Sequence, residues 1–576
     1  MGDARPEPES QDPRRIQAEP HGLVGRGREL EQLDAALSDA IARRGGVVVV
    51  TGEPGIGKTA LARAFVEHAG ERGASWAWGT CWDGGGAPAY WPWVQVVREL
   101  ARREDAATLR AALGDGAPWI AGLLPELAGA LGTPAPAAGL SADQARFRLF
   151  DALTALLAAV AERRPLVIVL DDLHWADASS LLALEFVSRM LADLPILVIA
   201  AYRLGEAHAR QELAVPLGGV ARSARRLSLQ GLDRDDVGRL AMLRARGLGA
   251  AEAAAIGPWL VAAVHNASAG NPFYVDELVQ LLASQGRLHE RAGDDPLALP
   301  LPSGVRDTIR RRLAPMGDAS LRTLRSAAVI GGEFRLGTLA RVLGEPLGEI
   351  LERLDAPLRA GIVTAADRPG RFVFVHALVR ETLLADLGAG DRARLHLTVA
   401  EALEQVYADD LEPHLTQIAH HYLQAVTGAG AQRAVRFAAR AAQRAMAQFG
   451  YDEAATLYER AIEVAAALPG DELRAWELHQ GLGDALIRAG DIDGAHRALG
   501  AAVEHARRLD GPQQLATTVL ARALPGYSPA VVENDYVALL EEAIARMDET
   551  VADEPARAAA DDALRCRLRV QLALAL

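Results

Sequence analysis

Apolar residues fall into two kinds of pattern along the chain, and the change from one to the other divides the sequence. Near the N-terminus, Val47 to Val50 and Leu166 to Leu170 are uninterrupted aliphatic runs. Such runs are expected of parallel strands covered on both faces. Two further strands are predicted over Pro195 to Ala201 and Arg226 to Leu229. Strands alternating with helical periodicity predict a parallel sheet with right-handed crossovers. Residues 301 to 395 read as short amphipathic helices and one hairpin, Gly361 to Thr364 and Arg371 to Val375, around a turn at Asp367-Arg368-Pro369-Gly370. From about residue 396 onward the pattern is helical and Ala-rich.

In that helical part, Leu482, Gly483, Ala495, Leu499 and Ala502 stand at tetratricopeptide spacing, with small residues where paired helices must approach. Ala454, Tyr458 and Ala461 repeat the second half of the pattern at an interval of 41 residues, longer than the usual repeat. Stacked helix pairs of this kind make a concave binding surface.

Composition narrows the class. The 576 residues are 50% hydrophobic and 24% charged, an ordinary globular profile, and the length suggests about four domains. No apolar run approaches the ~20 residues of a membrane span. The first residues, MGDARPEPESQDPRR, lack an apolar signal core. Two cysteines, Cys81 and Cys566, argue against a disulfide framework. A net charge of −14 gives no whole-chain attraction to nucleic acid or acidic membranes. A cytoplasmic protein is expected.

One residue count is sharper than the totals: of 61 basic residues, Lys58 is the single lysine. It lies in Gly52-Glu53-Pro54-Gly55-Ile56-Gly57-Lys58-Thr59, which matches the phosphate-loop pattern at every defined position. A strand precedes this loop, and a helix containing Ala60 follows it. The glycines let backbone N–H groups turn toward a phosphate, and the helix N-terminus adds its dipole. A compact ammonium fits between phosphate oxygens where a planar guanidinium does not. Lys58 is expected on the β- and γ-phosphates, and the Thr59 hydroxyl on magnesium. The apolar run Leu166 to Leu170 ends in Asp171 and Asp172, a Walker B arrangement. Asp171 is the candidate to hold Mg2+ through water, and Asp172 to polarise the attacking water. Arg203, just past the third strand, is a candidate γ-phosphate sensor. Asp177 is expected to cap a helix starting near Ala178. His174 is not expected to bind metal, because no second ligand stands at ligand spacing.

These residues resemble a known family. The phosphate loop, LVIVLDDLHWAD and LVGRGRELEQL are similar to STAND-type signalling ATPases related to AAA+ proteins, and in particular to the large ATP-binding regulators of the LuxR class. GTCWDGGGAPAYWPWVQVV, RFRLFDAL and GNPFYVDEL fit the same group, in the same order. The resemblance implies an α/β P-loop NTPase core with a parallel sheet, followed by a helical lid, a winged-helix unit and tetratricopeptide-like repeats. The boundaries expected are a disordered tail over 1–20, the ATPase over 21–230, the lid over 231–300, the winged-helix unit over 301–395 and the repeats over 396–576. It also implies that Val24, Gly25 and Arg26 lie near adenine and ribose, and that Pro272 packs on the base. By the same resemblance His376 touches the nucleotide phosphates and holds a closed state.

Other features carry two readings. Trp76, Trp78, Trp82, Trp91 and Trp93, five of nine tryptophans, either fill a core or line a loop facing a partner or nucleotide. The Gly84-Gly85-Gly86 run suggests a sharp bend among them. Arg310, Arg311 and Arg312 read as a solvated face. The chain stops within the apolar pattern Gln571 to Leu576, with no helix-turn-helix in view. Either the sequence is truncated or the output domain was lost. Together these features predict an ATP/ADP- and Mg2+-dependent signalling switch, a transcriptional regulator or regulatory ATPase with slow hydrolysis. It would self-associate in its ATP state and sense a protein or small-molecule inducer through the repeats. No membrane association and no direct DNA binding are expected. The alternative is an AAA+ motor that remodels a protein or DNA partner.

Overall fold

The computed structural model describes residues 23–82, 86–132, 141–203, 205–206, 211–247, 256–288, 304–366, 368–425, 430–468, 470–522, 534–553 and 558–576. The tail over 1–20, the glycines at 84 and 85, the turn residue at 367 and the Pro-bearing boundary at 298–303 lie outside them. The chain divides into two compact units. One comprises Met1–Thr80, Leu157–His174 and Ser188–Gly317; the other comprises Cys81–Leu156, Trp175–Val187 and Asp318–Leu576.

The first unit is built on five parallel strands: β1 (Gly46–Thr51), β2 (Ser75–Thr80), β3 (Leu166–Asp171), β4 (Ile196–Tyr202) and β5 (Arg225–Ser228). Their order is β2-β3-β4-β1-β5, so β4 lies between β1 and β3. In register, Val48 stands beside Ile199 and Ile168 beside Val198. Alternate side chains Val48, Val50, Val167, Val169, Leu197 and Ile199 share one buried cluster with Leu33 and Leu37 of helix α1 (Gly27–Ile41) and Leu61 and Phe65 of helix α2 (Lys58–Glu71). The intervening residues Val47, Val49, Ile168, Leu170 and Val198 are equally buried. That explains runs without alternation: both faces of these strands are covered. Strand β2 escaped the sequence reading because Ser-Trp-Ala-Trp-Gly-Thr is an edge strand with small residues and no continuous apolar run.

After β5 come the helices Arg234–Gly247, Pro258–Ser268 and Pro272–Ser284, which pack Val237, Leu240, Leu260, Val264, Val275 and Leu278 around Val24. The arginine run corrects one expectation. Arg312 is buried and ion-paired with buried Glu277, while Arg310 pairs with Asp307 near the surface. Consecutive helical residues point ~100° apart, so three in a row cannot share one solvated face.

In the second unit, β6 (Glu333–Arg335), β7 (Val363–Ala365) and β8 (Arg371–Phe374) form a small antiparallel sheet ordered β6-β8-β7. The hairpin was legible; its third strand was not, because three residues leave no periodicity. Helices follow from Ala389 onward. Gly481 faces the Tyr458 ring so closely that a Cβ would lie 2.5 Å from it, and Gly483 faces Leu499 equally closely. The tryptophans serve packing. Trp76 and Trp78 lie against the sheet core of the first unit. Trp93 is wholly buried in the second, donating its Nε1–H to the Ser180 carbonyl at 2.9 Å.

Two clusters in the second unit couple its packing to protons. Asp177 caps the helix Ala178–Met190 by accepting from the Ser180 amide at 2.8 Å and the Tyr90 amide at 3.1 Å. Beside it, Glu453 accepts from the Ser179 amide and hydroxyl at 3.1 and 2.7 Å. Burial and the Asp177 charge push the Glu453 carboxyl up to about 8, and burial raises Asp177 as well. Elsewhere the rings of His396, His420 and His421 cluster, His420 standing T-shaped to both others, with the Nδ1 atoms of His396 and His421 2.9 Å apart. Burial lowers His396 to about 4 and His420 to about 3, and Arg380, Arg392 and Arg460 add to the effect.

The two clusters have opposite signs. Histidines whose folded pKa is depressed stabilise the fold above their ordinary value near 6.5 and lose that contribution as pH falls toward 4. Melting followed by circular dichroism should therefore drop between pH 6.5 and 4, with a shallower slope in His396→Gln; equal slopes in the two proteins would refute this. A carboxyl with a raised pKa stabilises at low pH and loses its contribution as pH rises through about 8. Glu453→Gln should accordingly flatten the loss of melting temperature between pH 6 and 8.5, and an unchanged slope would refute the raised Glu453 carboxyl.

Candidate functional site

All five strands run in one direction, so the residues just past their C-terminal ends gather along one edge, where ligands of open α/β sheets bind. The strand order decides which residues meet. The loop after β1 and Asp171 at the end of β3 flank β4, and Arg203 follows β4 directly.

The loop is held from outside. Arg26, almost wholly buried, donates to the carbonyls of Ile56 at 3.0 Å and Gln230 at 2.8 Å. Asn271 Nδ2 donates to the Pro54 carbonyl at 2.9 Å, and the Phe273 amide to the Gly55 carbonyl at 3.3 Å. A peptide plane whose carbonyl points outward points the following N–H the other way. These bonds therefore fix the directions of the Gly55, Ile56 and Gly57 amides, of which that of Ile56 donates to the Glu53 carbonyl at 3.3 Å. Gly55, at φ 78°, and Gly57, at φ 103°, take up the left-handed backbone this requires. At Gly55 there is also no room for a side chain, since a Cβ would lie 2.8 Å from Phe273.

Lys58 opens α2 and folds its ammonium back onto the carbonyls of Gly52 and Glu53, both at 3.0 Å. Burial lowers its pKa, and the Arg203 guanidinium adds to this; Asp172, Asp171 and Glu206 oppose it. Thr59 donates its hydroxyl to Asp171 Oδ2 at 2.7 Å, and the Asp172 amide donates to Asp171 Oδ1 at 2.9 Å. Burial raises the Asp171 pKa against those two bonds. Thr59 and Asp171 thus present adjoining oxygen donors of the hard type that Mg2+ prefers. Among the described residues no cluster of three His, Cys, Asp or Glu side chains stands ready to hold a metal. An ion bound at Thr59 and Asp171 would complete its shell with phosphate and water oxygens, the usual habit of Mg2+. Asp172 itself sits at φ 55°, a strained conformation for a residue other than glycine.

The remaining candidates sort clearly. Ala60 is an exposed residue of the first turn of α2, and Glu53 is exposed in the loop. Val24 belongs to the core of the helices after β5. Gly25, at φ 69°, leaves no space for a Cβ, which would meet Asp236 at 2.3 Å. Pro272 is the first residue of its helix, with Asn271 as N-cap accepting from the Tyr274 amide at 3.3 Å. His376 lies in the second unit, where it N-caps the helix Ala377–Ala385 and its Nδ1 accepts from the Leu378 amide at 3.1 Å. His174 is buried, with Nδ1 3.9 Å from Asp172 and Nε2 3.5 Å from Glu206. Sequence reasoning missed Asn271, Phe273 and Glu206. The Asn-Pro pair signals a helix start, but nothing local shows that it reaches the loop; Glu206 carries no signal at all.

Part of the chain matches a known family model. Residues 22–199 match the model of the AAA ATPase domain. An uncharacterized protein of Rhizobium meliloti (strain 1021) is 26% identical over 401 residues, 66% of this chain and 37% of that protein, so the chain spans little more than a third of its relative. Among solved structures, a STAND protein with a tetratricopeptide-repeat sensor from Pyrococcus horikoshii aligns at 15% identity with a TM-score of 0.45, covering 91% of this chain and 71% of that one. Cdc6p of Pyrobaculum aerophilum aligns at 16% identity with a TM-score of 0.29, covering 66% of this chain and 98% of that one. Among the described residues no helix is long and apolar enough to cross a membrane. The chain carries, over residues 22–199, an AAA ATPase domain with a parallel-sheet P-loop core, joined to a mostly helical C-terminal region.

Proposed function

We propose that this chain is a nucleotide-dependent signalling switch that binds ATP or ADP with Mg2+ at the loop of Gly52 to Thr59. The observation that carries this reading is the set of hydrogen bonds from Arg26, Asn271 and Phe273 to three successive loop carbonyls. Those of Asn271 and Phe273 join the loop to the segment opening the helix Pro272–Ser284, so a change in the loop's occupancy alters the seating of the helices after β5. In this reading Lys58 and the loop amides hold the phosphates, Thr59 and Asp171 hold Mg2+, Asp172 orients water and Arg203 meets the γ-phosphate. Val24, Gly25, Arg26 and Pro272 shape the base end of the pocket.

The small sheet β6-β8-β7 with its flanking helices supports a winged-helix unit, and the close helix pairs at Gly481 and Gly483 support tetratricopeptide-like repeats. Those repeats would receive a protein or small-molecule inducer, and ATP would favour self-association. Kinship with the LuxR-class regulators rests on the motifs from Gly79 to Leu278. The P-loop core joined to a helical array suits slow turnover, since resetting a switch needs few cycles. Turnover that rises steeply with protein concentration would instead favour an AAA+ motor.

Lys58→Ala should weaken ATP and ADP about 10- to 100-fold in a calorimetric titration with Mg2+, the scale of a lost charge-assisted contact; unchanged affinity would overturn the proposal. Asp172→Asn should keep Mg·ATP affinity within about threefold while lowering single-turnover hydrolysis by roughly 100-fold or more. Hydrolysis at the wild-type rate would remove Asp172 from the chemistry.

A further inference from the structure

We propose that Glu206 is a built-in competitor for the γ-phosphate at Arg203, biasing the pocket against ATP relative to ADP. The inference rests on the nucleotide reading above and deepens it. Arg203 leaves β4 between β1 and β3, with its side chain only 7% exposed and its NH1 2.8 Å from Glu206 Oε1. The Glu206 side chain is 42% exposed. The guanidinium is therefore fixed in the protein, whereas the carboxylate stands at the water boundary and can leave at small cost. A guanidinium donates to carboxylate and phosphate oxygens with the same fork geometry, so one can replace the other.

Lys58 places both groups in the same field. Its ammonium is disfavoured by Arg203 and favoured by Glu206, so a charge entering the loop at Lys58 is felt by both. A γ-phosphate arriving there competes with Glu206 for Arg203 and is repelled by that carboxylate. ADP ends at the β-phosphate and leaves the Arg203–Glu206 pair intact. The other oxygen of Glu206 lies 3.5 Å from His174 Nε2, and His174 Nδ1 lies 3.9 Å from Asp172. Displacing Glu206 thus also removes a neighbour of the buried imidazole that packs beside strained Asp172. Glu206 acts here through Arg203, as a positioning residue.

The test is a double-mutant cycle on the full chain with Mg2+, titrating ATP and ADP into wild type, Glu206→Gln, Arg203→Ala and the double variant. Melting by circular dichroism checks that each is folded, and Glu206→Ala controls for hydrogen bonding by the new amide. Glu206→Gln and Glu206→Ala should each tighten ATP about fivefold, the scale of one partly exposed ion pair, with ADP within twofold. The gain should vanish in the Arg203→Ala background. Weaker ATP binding in Glu206→Gln, equal tightening of ATP and ADP, or a gain that survives Arg203→Ala would each overturn the competitor role. Wild type binding both nucleotides with Glu206→Gln unmoved sinks this inference alone; wild type binding neither sinks the nucleotide reading with it.

Discussion

Three backbone carbonyls organise the site. Once Pro54, Gly55 and Ile56 have their oxygens tied outward by Asn271, the Phe273 amide and Arg26, the orientation of the loop's peptide planes is no longer free. A Gly-rich segment left alone would spend considerable conformational entropy on reaching that arrangement. Here the cost is met during folding, by groups from before β1 and after β5, and the amides are already aimed when a ligand arrives. Preorganisation of this kind converts more of the contact energy into affinity.

The charges around the loop are placed against their own solvation. Lys58, Asp171 and Arg203 are all nearly buried. The pKa of Lys58 is pulled down and that of Asp171 pushed up by burial, each toward its neutral form. Both shifts would reverse on meeting a phosphate and a divalent cation. Such opposed, ligand-correctable shifts mark a site more specifically than burial does, because a structural ion pair already satisfies itself. The Arg312–Glu277 pair in the same unit shows the contrast: it is as buried, and burial raises the Glu277 carboxyl there too, but its two opposite charges are in direct contact.

What could be read from the sequence follows the range of the interactions involved. The loop and Walker B strand were legible because their chemistry is written in contiguous residues, and the single lysine marked the position where arginine would not serve. The inner strands were legible because burial on both faces leaves an unbroken apolar run. Edge strand β2, with polar and small positions, left no such trace, and neither did the three residues of β6. The long-range bonds are the larger gap. Arg26 stood out only by resemblance, and its actual bonds are to Ile56 and Gln230, 30 and 204 residues away. Glu206 stands only three residues after Arg203, but no motif marks that spacing, and its other neighbour, His174, is brought beside it by the fold. The arginine run misled for the converse reason: adjacency in sequence suggested a shared face that helical geometry forbids.

Proton-linked clusters in the second unit make the character of the loop plainer by comparison. Burial pushes the Glu453 and Asp177 carboxyls up, and they receive Ser179, Ser180 and Tyr90 as donors, so the pair's hydrogen bonds are filled from within. His396, His420 and His421 are held neutral by burial and by arginines, and the first and last bond each other. A cluster that has already discharged itself gains little from an ion and serves packing. At the phosphate loop the opposite choice was made. Lys58 donates only to the Gly52 and Glu53 carbonyls, and Asp171 accepts only from the Thr59 hydroxyl and the Asp172 amide, so neither charge is answered by a direct ion pair. The same buried titratable residues can thus be structural or ligand-seeking, and what separates the two is whether their charges can reach one another without help.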